Sequence, residues 1–468
     1  MIDRLIQILL ILLLIFTPVA FGSIELWAFS VMELGIVFMI IFWAIQSVGS
    51  RTSLFQKSEI RNLQLAIPLL FLSLFLCLGL LQMVPFPSGI IKMISPGNDE
   101  LHHALSIADF QILNPHPKFS ISLVPFATLI EFFKWFTLIS FFIFLLLWKP
   151  SDGNILKFIP IVTFVGVAES LYGMFEFFSG HRHILYLEGE RLVSSVTGTF
   201  INRNYFAGYL LMVIPLSIGY LFSREGFQKS RYRGWRHRLS SSDGKTMLIE
   251  YCIVLMILGL FFSASRMGIV SLLLSFTVVA LLFRNPERGQ RLSKTPIFIL
   301  GLAVLWAALI GLDAVISRFF AVSEGFKIRW EIWANTLQII KDFPLLGSGL
   351  GTFTQVFPSY RSFHIEGLVT HAENDFLQLA SEAGFVGMGL LIIVFLFLFY
   401  KAFSGIRKLS PENSRRYIGI GGLVGILALI FHSMVERNIQ VPANAFLFTL
   451  ILALVLKIST KKSNDQIT

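Results

Sequence analysis

The chain reads as an all-α, polytopic integral membrane protein of about twelve transmembrane helices with a large outside loop. Three observations predict this. Charged residues are 14% of the 468 and hydrophobic residues 55%, with a mean hydropathy of +0.74. A soluble domain carries about 25% charged residues. The apolar runs are continuous over about twenty residues, as a spanning helix requires, whereas barrel strands alternate apolar and polar over about ten. Phenylalanine supplies 48 residues, which suits lipid-facing surfaces. A cytosolic enzyme, a disordered chain and a secreted disulfide scaffold are excluded. Cys77 and Cys252 both fall inside apolar runs and imply neither a disulfide framework nor a metal site.

The candidate spans lie near residues 5–22, 25–48, 63–83, 126–148, 155–178, 204–222, 247–263, 267–283, 297–315, 384–401, 417–435 and 443–457. The first two are separated by Gly22, Ser23 and Ile24, which allows a re-entrant hairpin. The first is not a signal peptide, because Arg4 sits beside Asp3 and no small-x-small cleavage site follows. With the N-terminus cytoplasmic, the inside connections hold 25 Lys and Arg and the outside connections 12. The positive-inside rule therefore places both termini in the cytoplasm. Residues 1–468 form one membrane domain, with long outside loops at 84–125 and 316–383. The net charge of +10 follows from topology. The run Arg231–Arg238 (RYRGWRHR) is an anchor for anionic lipid headgroups rather than a nucleic-acid patch.

The larger loop carries the pattern. Ile332, Trp333, Leu337 and Ile340 recur at helical spacing and predict an amphipathic helix resting on the membrane surface or on the bundle. Pro344 ends it. Gly347, Gly349 and Gly351 read as turn-makers, since a phosphate-cradling loop would end in Gly-Lys-Ser/Thr. Next, His371, Asn374, Asp375, Gln378 and Glu382 form one polar stripe running into an apolar span, expected to line a cavity. His371-Ala372-Glu373 is not a zinc-binding H-E-x-x-H, and no metal is expected.

Cations mark the outer ends of two spans. Arg266 sits between two apolar segments with almost no loop, at a depth where arginine is costly and a functional candidate. Arg203 enters the sixth span from outside, with Arg191 upstream. Headgroup snorkelling is the alternative for each. One imidazole and two or three guanidiniums on the outer leaflet suggest a sugar-bearing lipid diphosphate as substrate. Guanidinium forks match phosphate oxygens and cannot lose their charge, and an imidazole can take the proton of an acceptor hydroxyl.

Four stretches resemble the O-antigen ligase and polymerase family of bacterial envelopes. They are TGTFINRNYFAGYL (Thr197–Leu210), SASRMGI (Ser263–Ile269), RW…DFPLLGSGLGTF (Arg329–Phe353) and HAENDFLQLASEAGFVG (His371–Gly387), with weaker echoes in LQMVPFP (Leu81–Pro87) and HSMVERNIQVPAN (His432–Asn444). The resemblance implies a twelve-span fold with a large periplasmic loop, like that of the C-type glycosyltransferases, so that the outside loops at 84–125 and 316–383 are periplasmic loops. It implies metal-independent transfer, with inversion and no cofactor, of glycan from undecaprenyl diphosphate to a lipid or glycan acceptor. It also implies a protein of the bacterial inner membrane whose site faces the periplasm. The family's loop histidine, its presumed base, maps onto His371, with Glu373 and Asn374 beside it. Its diphosphate-binding arginines map onto Arg266 and onto Arg203 or Arg191. Many members carry a second histidine where this chain has Glu373. Ligase and polymerase both fit these motifs. A lipid-linked glycan transporter is the reading from another class, and the lack of internal repeats speaks against it.

Overall fold

A computed structural model describes residues 1–49, 65–95, 97, 118–150, 155–180, 183–188, 195–225, 244–284, 322–365 and 367–460. The longer helices in chain order are α1 (Ile2–Val19), α2 (Leu26–Gly49), α3 (Ala66–Met83), α4 (Pro125–Leu147), α5 (Phe158–Ser179) and α6 (Arg203–Glu225). After these come α7 (Gly244–Phe262), α8 (Arg266–Leu282), α9 (Val322–Asp342), α10 (Asp375–Lys408), α11 (Ser414–Ser433) and α12 (Pro442–Thr460). Ten helices are long and apolar enough to cross a membrane, and α8 is a shorter apolar helix. Together they coincide with all but one of the expected spans. That one, near 297–315, lies outside the described residues, as do Arg191 and Arg231–Arg238. Two short antiparallel ladders, Pro85–Pro87 with Lys118–Ser120 and His183–Ile184 with Leu187–Glu188, are the strands among the described residues.

Burial sorts the helices. Most of the span windows of α6, α11 and α12 are buried, whereas α2 and α7 leave most of theirs exposed. Large apolar side chains such as Phe38, Leu70 and Tyr251 lie on exposed faces of the outer helices. Side chains of this kind are stable outside a packed core when lipid replaces water. Between α6 and α11 the backbones approach so closely that a Cβ on Gly421 would lie 2.2 Å from the Pro215 carbonyl oxygen. Small residues permit such contact where dispersion, not hydrophobicity, drives helix association in a bilayer. The link between α1 and α2 is tight, with Phe21, Gly22 and Ser23 all at positive φ.

The segment from α9 to the start of α10 has a small core of its own, built from Ile332, Ile339, Phe343, Phe353, Val356, Phe357, Val369 and Ala372. Helix α9 lays Ile332, Thr336, Ile339 and Ile340 against it. Leu337, expected on the packed face, is 47% exposed, while Thr336 is fully buried. The Thr336 hydroxyl donates to the Ile332 carbonyl at 2.7 Å, so its polarity is satisfied inside its own helix and burial costs little.

Candidate functional site

The Gly347–Gly351 turn positions the start of α10. All three glycines have positive φ, between 72° and 114°. A Cβ on Gly347 would fall 2.2 Å from the Glu382 backbone. Facing them, Gly384 breaks α10 with φ 64° and ψ −176°, separating the polar stretch Asp375–Ala383 from the apolar remainder. The turn-maker reading of these glycines therefore stands.

The polar stripe does not line an open cavity. Asp375, Gln378 and Glu382 are buried and hold backbone. Asp375 Oδ2 accepts from the amides of Asn438 and Ile439, each at 2.7 Å. Gln378 Oε1 accepts from Ala372 N at 3.1 Å, and Gln378 Nε2 donates to Glu382 Oε1 at 3.1 Å. Glu382 accepts from Gly351 N at 2.9 Å and Phe353 N at 3.3 Å. Asn374 caps α10, its Oδ1 accepting from Phe376 N at 3.0 Å and Leu377 N at 3.1 Å. Its Nδ2 donates to the Met434 carbonyl at 2.6 Å. Thus one stripe ties the loop, α10 and the α11–α12 connection together around His371.

His371 lies just before that cap. Its Nε2 contacts Nη1 of Arg437. A guanidinium only donates, so Nε2 is the acceptor and the ring proton is on Nδ1, which is buried without a hydrogen-bond partner. Burial, then the charges of Arg437 and Lys134, push the His371 pKa down to about 2. The imidazole is neutral at physiological pH. Beside it, Glu436 is 2% exposed and pairs with Arg329 at 2.6 Å. Burial raises Glu436 to about 7 against the opposing pull of Arg329. Burial also raises Glu373, which adopts φ 51° and hydrogen-bonds Glu436. The site therefore holds two guanidiniums, two carboxyls and an imidazole, contributed by α9, the approach to α10 and the α11–α12 connection.

A buried polar chain links this group to the arginine motifs. Asn438 Nδ2 donates to His432 Nδ1 at 3.1 Å, which leaves the His432 proton on Nε2, 3.5 Å from Ser265 Oγ. Ser265 Oγ donates to Asn204 Oδ1 at 2.9 Å, and Asn204 also reaches Glu436. Asn444 Nδ2 reaches Asn438 Oδ1 at 3.3 Å and the Tyr205 carbonyl at 3.1 Å. Arg266, half-buried, and Arg203, exposed, each lie one residue from the Asn204–Ser265 bond. The Thr197–Phe200 turn before Arg203 is fixed by Glu169, whose Oε2 accepts from Thr199 N at 2.8 Å.

Sequence reasoning missed Arg329, Glu436, Arg437 and the His432–Asn438 pair. The signal was present. Arg329 opens one quoted stretch, and Glu436-Arg437-Asn438 lies inside another, between two spans where charge is otherwise sparse. Among the described residues no group of three or more His, Cys, Asp or Glu is disposed to hold a metal ion.

Comparison with known families bears on residues 251–392, which match the family model for O-antigen ligase. Over that stretch, about a third of its length, the chain is similar to the O-antigen ligase family. The match takes in Arg266, Arg329, the glycine turn and the His371 motif, while Arg203 and Arg437 lie outside it. No curated protein matches the chain. The match supports a function of the O-antigen ligase or polymerase type in general. The match and the ten helices long and apolar enough to cross a membrane together support a multi-pass bacterial membrane protein.

Proposed function

We propose that the protein is a glycan ligase of the periplasmic face of the inner membrane, both termini cytoplasmic. It transfers glycan from undecaprenyl diphosphate to an acceptor hydroxyl, with inversion and without metal. The observation that carries this reading is the contact of His371 with Arg437 beside the Arg329–Glu436 pair, with a buried polar chain leading from that pair to the segments that carry Arg203 and Arg266. In this reading His371 Nε2 takes the acceptor's hydroxyl proton. The acceptor oxygen bonds to the anomeric carbon as the bond from that carbon to the phosphate oxygen breaks. The electron pair leaves on the lipid diphosphate, whose charge Arg266, with Arg203 or Arg191, stabilises. A bound diphosphate would also offset the positive field on His371, returning basicity to a ring that burial and Arg437 hold down. Asn374 fixes the backbone beside His371. Glu373, in place of a second histidine, helps balance Arg329 and Arg437.

The test is transfer by purified protein from a defined undecaprenyl-diphosphate glycan to a panel of acceptors, in detergent without compartments and with chelator present. Product on an acceptor supports the reading, no transfer to any acceptor refutes it, and loss under chelator refutes metal independence. A polymerase would use a second lipid-linked repeat as acceptor. Envelope gels separate the two, because loss of a ligase strands long chains on the lipid carrier and loss of a polymerase leaves single repeats on their final acceptor.

A further inference from the structure

The Arg437–His371 contact poses a chemical problem. The nitrogen that must accept a proton already accepts a hydrogen bond from a permanent cation. The opposite nitrogen carries the ring proton and has no hydrogen-bond partner. In this arrangement neither nitrogen of His371 is free to act as a base.

The way Arg437 is held suggests how the block is lifted. Arg329 has a carboxylate partner in Glu436. Arg437 has none among the described residues. Its Nη1 rests on a neutral ring nitrogen, its guanidinium lies 5.9 Å from the Tyr205 ring centroid, and its Nε is buried with no hydrogen-bond partner. A guanidinium with an unused N–H and no ion pair among the described residues, only the field of the nearby Glu373 and Asp375 carboxyls, is incompletely compensated. A phosphate oxygen gives it a charge-assisted, bidentate partner that an imidazole cannot match.

We propose that Arg437 caps His371 and that the diphosphate of the donor draws it off, freeing Nε2 when the donor is in place. This rests on the transferase reading above and assigns Arg437 a positioning role. It makes proton abstraction conditional on donor binding. An acceptor alone would meet a capped base, and the released lipid diphosphate would hold the base open until it leaves. Glu373 sits within the field of Arg437 and would receive less of it once the guanidinium turns to phosphate.

The deciding arm of the test uses the wild-type protein. Diethyl pyrocarbonate acylates a free imidazole nitrogen, and peptide mapping reads each histidine separately. The full-length protein in detergent is labelled with and without inorganic diphosphate, with sodium chloride matching ionic strength. His432, fully buried, is the internal negative control. Diphosphate should speed His371 labelling at least about fivefold, since the reactive fraction rises as the cap is drawn off. Arg437→Gln should label fast with or without diphosphate and should raise the donor KM. Unchanged or slower labelling of the wild type in diphosphate overturns the proposal, even if the variant does not fold. If the wild type transfers glycan yet diphosphate does not speed labelling, the cap falls and the transferase reading survives. If labelling speeds up and no transfer occurs, the reverse holds.

Discussion

Gly384→Ala should destabilise the protein and detach the glycine turn from α10. The backbone there has φ 64° and ψ −176°, a region open essentially to glycine alone, which strains any other residue by about 1–3 kcal/mol. The new Cβ would lie 2.1 Å from the Leu345 carbonyl oxygen and 2.6 Å from the Leu346 nitrogen. Both are backbone atoms that no rotamer change can move, so overpacking adds about 1–3 kcal/mol. Relief by shifting the turn would weaken the bonds from Phe385 N to Pro344 O at 2.8 Å and Val386 N to Leu345 O at 3.2 Å. The total is roughly 2–6 kcal/mol, a large share of the 5–15 kcal/mol that typically holds a fold. At roughly 1–2 °C per kcal/mol for a chain this long, the melting temperature in detergent should fall by about 2–12 °C. Gly389→Ala is the control, because it lies in the same helix and its Cβ would meet nothing within 4 Å. There alanine should be neutral or stabilising by up to about 1 kcal/mol. If Gly384→Ala melts with the wild type, the account of how this turn is seated is wrong.

His371→Ala should abolish transfer while leaving expression and melting near normal, and near-normal turnover would remove His371 as the base. Arg266→Lys should cut turnover at least about tenfold if a bidentate fork is needed, whereas full activity would favour headgroup snorkelling. The titrating groups at the site give stability opposite pH slopes. His371 is depressed from 6.5 to about 2, so its contribution is present above pH 6.5 and is lost as pH falls below it. Glu436 is raised from 4.5 to about 7, so its contribution is present below pH 4.5 and is lost as pH rises through 7. Between pH 4.5 and 6.5 each slope approaches about 1.4 kcal/mol per unit, with opposite signs. Melting curves of Glu436→Gln should therefore fall on acidification and those of His371→Asn should rise. Parallel curves for the two variants would contradict the site's electrostatics.

The sequence by itself determined the membrane class, nearly every described span, the turn role of Gly347, Gly349 and Gly351, and the stretches that carry the family. These follow from local composition and from backbone conformations that only certain residues tolerate. It also marked His371 and Arg266 as rare polar groups at the ends of spans. What it could not give is pairing. Nothing local says that Glu436 reaches Arg329 across more than a hundred residues, or that Arg437 rests on His371. The stripe from Asp375 to Glu382 shows the same limit. Periodicity puts those residues on one face, but only the packed loop decides whether that face meets water or backbone amides. Periodicity likewise favoured Leu337 over Thr336 on α9, because it cannot see a hydroxyl satisfied within its own helix. Desolvation settles the remainder. A carboxyl, an imidazole and a guanidinium acquire their working charge and reach from neighbours that the tertiary fold alone brings within contact.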